Sequence, residues 1–149
     1  PVDILPRHIG HEMRSVDWRK PFCGRLRVPA ECRDLALRVA RHHGNIHRAK
    51  ELRADTLVKQ FDSCDLWRKP ERYAQILQAC ESDARGRTGH ERDAYPQSAY
   101  LLRCAQAAQA VNSGEIARAC ADKQLIPEKI REARMAAVEQ VLRAEARNV

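Results

Sequence analysis

Aromatic side chains make up only 5% of this 149-residue sequence. Trp18, Trp67, Tyr73, Tyr95 and Tyr100 are too scattered to form a platform on which bases stack, and most of them are expected in the core. Long apolar runs are missing too: none approaches the ~18 residues needed to cross a bilayer. The opening "PVDILPRH" has neither the basic start nor the apolar stretch of a signal peptide. Strand-like segments are few, and the sequence holds no Gly-rich nucleotide fingerprint, GxSxG elbow, HExxH pair or low-complexity tract. The cysteines at 23, 32, 64, 80, 104 and 120 never form CxxC, which argues against a zinc ribbon. They fall in helical-looking segments, so we expect reduced, mostly buried thiols in a soluble cytoplasmic protein.

The sequence does have positive charge, +7 net, and it is unevenly placed. Residues 1–53 hold 12 Lys/Arg against 6 Asp/Glu, residues 54–112 hold 8 against 8, and residues 113–149 hold 7 against 6. A local basic excess suits a polyanion, because clustered Lys and Arg displace counterions from phosphates; a solvated basic face without a partner fits the charge equally well.

Ala, Leu, Arg, Glu and Gln dominate, all good helix formers. "RVPAECRDLALRVARHH" carries an apolar stripe of Ala30, Leu35, Val39 and Ala40 behind Pro29 and should end near Gly44. "RADTLVKQFDSC" reads as a helix capped by Asp55 or Thr56, "KPERYAQILQAC" as one starting at Pro70, and "QSAYLLRCAQAAQAV" as one opened by Pro96. "SGEIARACA" and "PEKIREARMAAVEQVLRAEAR" complete the set, the last with Ile130, Ala133, Ala137, Val141 and Leu142 on one side. Before these, Pro21 should kink or split a helix running from His8 to Arg27. The sequence therefore predicts one all-α domain of six or seven helices, with "DARGRTGHERDAYP" as its longest loop.

Five of the six histidines form two clusters, His8 with His11 and His42, His43 and His47 in "RHHGNIH". Helical spacing lets His8 and His11, or His43 and His47, present two imidazoles to one ion, but neither pair completes a site. Glu12, Asp62, Asp65, Glu81 and Asp83 are the carboxylates that a fold would have to bring to them, and surface or capping histidines are the alternative. In "DARGRTG", Arg85 and Arg87 flank Gly86, where guanidinium and backbone N–H groups suit phosphate; a helix end closed by glycine with solvent-facing arginines fits as well.

Taken in order, "LPRHIGHE", "RLRVPAECRDLALRVARHHGNIH", "TLVKQFDSCDLWRKPER" and "ESDARGRTGHERDAYPQ" resemble the C-terminal half of the bacterial multifunctional CCA-adding enzymes, the tRNA nucleotidyltransferases. The resemblance is close over residues 1–96 and weaker through the helices of 97–149. It implies an HD-type helical domain, similar to metal-dependent phosphohydrolases credited with phosphatase, 2′-nucleotidase and 2′,3′-cyclic phosphodiesterase activities. It also implies tRNA as partner, an N-terminal nucleotidyltransferase domain absent from this sequence, and a divalent ion (Mg or Ni) in the parent. Carried over residue by residue, it makes His11, His43 and Asp83 the first-choice metal ligands, with His8, His47 and Asp65 as second choices. Arg25, Arg27, Arg41, Arg85 and Arg87 become the RNA- or phosphate-contacting side chains. The His-Asp dyad of the pattern is expected upstream of Pro1, and Gly44 stands where related sequences commonly have Asp. The expectation is thus a catalytically incomplete domain with weak metal binding or none. The alternative is a tRNA-binding or packing module with structural histidines.

Overall fold

The computed structural model describes residues 21–147. Besides a helical stretch at 21–25, six α-helices lie within them: α1 (Ala30–His47), α2 (Ala54–Ser63), α3 (Pro70–Arg85), α4 (Pro96–Gln109), α5 (Ser113–Ala119) and α6 (Ile126–Arg147). Two 3₁₀ turns, Ala49–Glu51 and Lys123–Leu125, join α1 to α2 and α5 to α6. No strand occurs among the described residues, and none of their helices is long and apolar enough to cross a membrane.

The helix starts follow local chemistry. Pro70 and Pro96 occupy the first turns of α3 and α4, where a missing N–H costs nothing. Asn112 caps α5 by accepting from the Glu115 N–H at 3.0 Å. Two expectations need correction. α2 begins at Ala54 after Arg53, without a side-chain cap, and Asp55 instead pairs with Arg53 (3.6 Å) and Lys59 (3.7 Å) in its first turn. α1 does not stop near Gly44 but runs on to His47. Glycine costs about 1 kcal/mol inside a helix, whereas completely burying Ile46 is worth roughly 1.5–3 kcal/mol, so the burial wins.

Two helix ends use left-handed residues. Residues 21–25 are helical, and the turn after them is closed by bonds from Val28 N–H to Cys23 O (3.1 Å) and Arg27 N–H to Gly24 O (3.2 Å), with Arg27 at φ 50°. α2 ends in the same way: Leu66 N–H reaches Phe61 O, Asp65 N–H reaches Asp62 O (both 3.1 Å), and Asp65 has φ 60°. This is the Schellman closure, usually built on glycine, and the buried Leu66 supplies its apolar contact.

The core is one cluster. Ile46, Leu57, Phe61, Tyr73, Ile76, Leu101, Cys104 and Val138 are fully buried in it, and Phe61 meets Tyr73 edge-on at 5.4 Å. α6 packs against α4 and α2 while α1 packs against α3. The expected α6 stripe is present, with Val138 and Met135 added at its centre. Five of the six cysteines are buried, Cys32 is exposed, and all are free. The α1–α3 pairing matters most for function, because it lays the end of α1 beside the end of α3.

Candidate functional site

α1 carries three histidines whose side chains have different surroundings. His42 is buried, and its Nε2 lies 2.6 Å from Ser63 Oγ at the end of α2. Burial, with Arg41 and Arg38 nearby, brings its pKa down to about 4, so it is neutral at physiological pH. Arg38 donates to the Ser63 carbonyl, and Asp34 joins Arg38 to Arg72 of α3. This polar seam fixes α1 against both neighbours and leaves His42 out of any open site.

His43 and His47 stand one turn apart, ring centres 6.0 Å from each other and nearly perpendicular. His43 Nδ1 lies 3.0 Å from the Ala40 carbonyl and 3.2 Å from that of Val39. Carbonyls only accept, so we assign the His43 proton to Nδ1, which leaves the lone pair on Nε2. His47 is the reverse case. Its Nε2 is 3.3 Å from Asp83 Oδ2 on α3, and its Nδ1 is 2.9 Å from the Tyr95 hydroxyl. A carboxylate only accepts, so the proton belongs on Nε2 and the Tyr95 hydroxyl donates to Nδ1. That Nε2 atom is buried against the Asp83 carboxylate. Burial lowers the His47 pKa, with His43 and Arg87 adding to the effect and Asp83 opposing it. Burial raises the Tyr95 pKa strongly, which keeps the hydroxyl protonated as a donor.

Beyond His47 lies a cavity of about 290 Å³ between the end of α3, the 86–95 segment and the start of α4. Arg85, Arg87, His90, Tyr95 and Gln97 line it. Arg85 pairs with Glu81 (3.0 Å), Arg87 with Asp83 (3.8 Å) and His90 with Asp93 (2.7 Å). Gln97 donates its amide N–H to the His47 carbonyl at 3.2 Å.

The fold thus places His47 against Asp83, with His43 one turn before His47 on α1 and Arg87 paired to Asp83. Asp65 is held elsewhere, in the α2 turn, by a two-bond pair with Arg68 at 2.7 and 3.0 Å that lowers its pKa. Asp62 accepts from the Trp67 indole, and Glu81 accepts from Ser98 at 3.2 Å. Arg25, Arg27 and Arg41 are exposed, as a polyanion-facing role requires. His8, His11 and Glu12 lie outside the described residues. Among the described residues no three His, Cys, Asp or Glu side chains gather closely enough to hold a metal ion. The His47 tautomer does not suit a metal, so the described residues alone do not fit the ion. Tyr95 and Gln97, which fix His47, were not singled out as site residues from the sequence. Their separations from it, 48 and 50 residues, leave no local signal, although both flank the Pro96 helix start.

The class defined by this arrangement is an all-helical domain with an imidazole–carboxylate cluster at a helix–helix seam, edged by arginines. Its relatives are particular. The multifunctional CCA protein of Dechloromonas aromatica is 55% identical over 142 residues, 95% of this chain and 34% of that protein. Those of Cupriavidus taiwanensis and Paraburkholderia phymatum are 56% identical over 146 residues and 61% identical over 118, covering 97% and 79% of this chain and 35% and 28% of theirs. The chain is similar to part of these multifunctional CCA proteins, and it spans about a third of their length. No family model and no solved structure matches it.

Proposed function

We propose that this chain is the C-terminal helical part of a bacterial tRNA nucleotidyltransferase, an HD-type domain that is catalytically incomplete by itself. Its identity with multifunctional CCA proteins, 54–61% over most of its length, carries the reading. In this reading the whole protein adds C, C and A to tRNA through its N-terminal part with CTP, ATP and a divalent ion. The helical part contacts the tRNA body and contributes His11, His43 and Asp83 to a phosphohydrolase-type metal site, with His8, His47 and Asp65 as second choices. The α1–α3 seam, where Asp83 pairs with His47 one turn after His43, supports the last point. The sequence holds no His-Asp dipeptide, which supports incompleteness.

Two measurements test the reading. Calorimetric titration of the chain with Ni²⁺ or Mn²⁺ is expected to show no tight stoichiometric binding. Tight 1:1 binding abolished by His11→Ala or His43→Ala would overturn the claim of incompleteness. Binding to tRNA is expected to weaken steeply with salt, and each of Arg25→Glu, Arg27→Glu and Arg41→Glu should weaken it and flatten the salt slope by about one unit or more. Salt-insensitive or undetectable tRNA binding would refute an RNA-contacting role.

A second reading, a non-catalytic tRNA-binding or packing module with structural histidines, is favoured by one observation. His42 and His47 are both engaged by hydrogen bonds to Ser63 and Tyr95. It predicts that His43→Ala in the whole protein leaves every phosphoester-cleaving activity unchanged.

A further inference from the structure

Helical spacing and resemblance both offer His47 as a metal ligand, and the described residues disagree with that role. A ligating imidazole keeps one ring nitrogen open to the ion while the other donates to a carboxylate or carbonyl. His47 keeps neither open: Nε2 is 3.3 Å from Asp83 Oδ2, and Nδ1 is 2.9 Å from the Tyr95 hydroxyl. The elements behind it fix both partners. Asp83 stands in the last turn of α3, while Tyr95 and Gln97 flank Pro96 at the start of α4. The proline ring sets φ at that point, and its two neighbours meet the end of α1 together. Tyr95 lies edge-on to the imidazole at 5.9 Å, and Gln97 donates to the His47 carbonyl at 3.2 Å. The imidazole is thereby clamped, with its side chain 22% exposed, whereas the Asp83 side chain is 56% exposed. Arg87 also approaches Asp83 through Oδ2, at 3.8 Å. Both contacts fall on one oxygen, so Oδ1 is the oxygen that the exposed side of the carboxylate has to offer.

We propose that His47 is not a ligand but a positioning residue for Asp83: its Nε2–H holds Oδ2, and the Tyr95 hydroxyl, by donating to Nδ1, keeps the proton on Nε2. Asp83 then meets an ion or a substrate through Oδ1 alone and in one orientation. This reverses the usual carboxylate–histidine–metal order, in which the carboxylate serves the ring. The gain is in preorganisation. A carboxylate at an exposed helix end samples several rotamers, and ordering it at the moment of binding costs the freedom it gives up. Held by a clamped imidazole, Asp83 has given up that freedom beforehand. The inference rests on Asp83 belonging to the site of the proposed function, and it removes His47 from the ligands of that site.

NMR of the chain with ¹⁵N-labelled histidine reads the tautomer directly. The His47 ring is expected to show a protonated Nε2 and an unprotonated Nδ1, and Tyr95→Phe should move it toward a tautomer mixture, which a loss of packing alone would not cause. The whole protein supplies the second arm, Mn²⁺ affinity measured by EPR. His47→Leu should weaken Mn²⁺ binding about tenfold, the lower end of what such partners contribute, and Tyr95→Phe by a smaller factor. His47→Gln should recover most of the loss, because its amide N–H can stand in for Nε2–H as a donor but not for an imidazole as a ligand. A His47 ring protonated on Nδ1 would overturn the proposal, as would a His47→Gln variant as damaged as His47→Leu. If Asp83→Ala abolishes Mn²⁺ binding while His47→Leu leaves it intact, this inference fails and the site of the proposed function stands. If Asp83→Ala leaves Mn²⁺ affinity unchanged, that site fails and the inference falls with it.

Discussion

Lowering the pH should cost this fold stability through His42 before its carboxylates begin to titrate. The ring is buried between α1 and the end of α2, with Arg38 and Arg41 near it and Ser63 Oγ as its polar partner. Its pKa falls from 6.5 to about 4, so the folded state refuses a proton that the unfolded chain accepts. The neutral ring's advantage is complete above pH 6.5 and is lost progressively as pH falls toward 4. One proton per molecule limits the slope to about 1.4 kcal/mol per pH unit. Between pH 7 and pH 5 the linkage integral gives a loss of about 2 kcal/mol. Burial depresses His47 in the same direction, so it adds to the slope. The depressed Asp65 loses its contribution only below the carboxylate range and does not distort this window. Urea unfolding at half-unit steps from pH 4.5 to 7.5 measures the effect, with His42→Gln as the comparison. The amide can still reach Ser63 but takes no proton, so the variant should be less stable at pH 7 and much flatter below it. Parallel pH profiles for the two proteins would refute the reasoning, because the slope would then belong to other groups.

Other perturbations have similarly direct readouts. Phe61→Ala removes a fully buried ring that contacts Trp67 and Tyr73 and should destabilise by about 3–5 kcal/mol in urea melts. Asp34→Ala leaves Arg38 and the largely buried Arg72 without their shared carboxylate. It should cost about 2 kcal/mol and lower the melting temperature by roughly 4–8 °C, as differential scanning fluorimetry can check. Arg27→Gly relieves a left-handed residue and should stabilise by about 0.5–1 kcal/mol while weakening tRNA binding, thereby separating fold from function. Under native alkylation at pH 8, mass spectrometry should find Cys32 modified first, because burial pushes the Cys64 and Cys80 thiols up to about 12 and keeps reagent out.

What could be read in the sequence follows from how far each determinant reaches. Pro70 and Pro96 mark helix starts through a property of a single residue, and the α6 stripe follows from a period within one segment; both are present in the structure. Gly44 misled for the same reason. Its propensity is local, whereas the burial of Ile46 that overrides it depends on the other helices. Asp65 shows the limit from another side: as a letter it is one more carboxylate available to a metal, but its backbone closes α2 in a left-handed turn and its side chain is occupied by Arg68. Resemblance reached further than spacing, selecting His43 and Asp83 across 40 residues, whereas the pair that the α1–α3 packing makes is Asp83 with His47. It gave no indication of protonation. His43 and His47 are the same residue type one turn apart on one helix. Two backbone carbonyls hold Nδ1 of the first as a donor, while Asp83 and Tyr95 make Nε2 the donor of the second. The protonation of each ring is therefore set by second partners up to 48 residues away, and those partners are where substitutions should change one tautomer without the other.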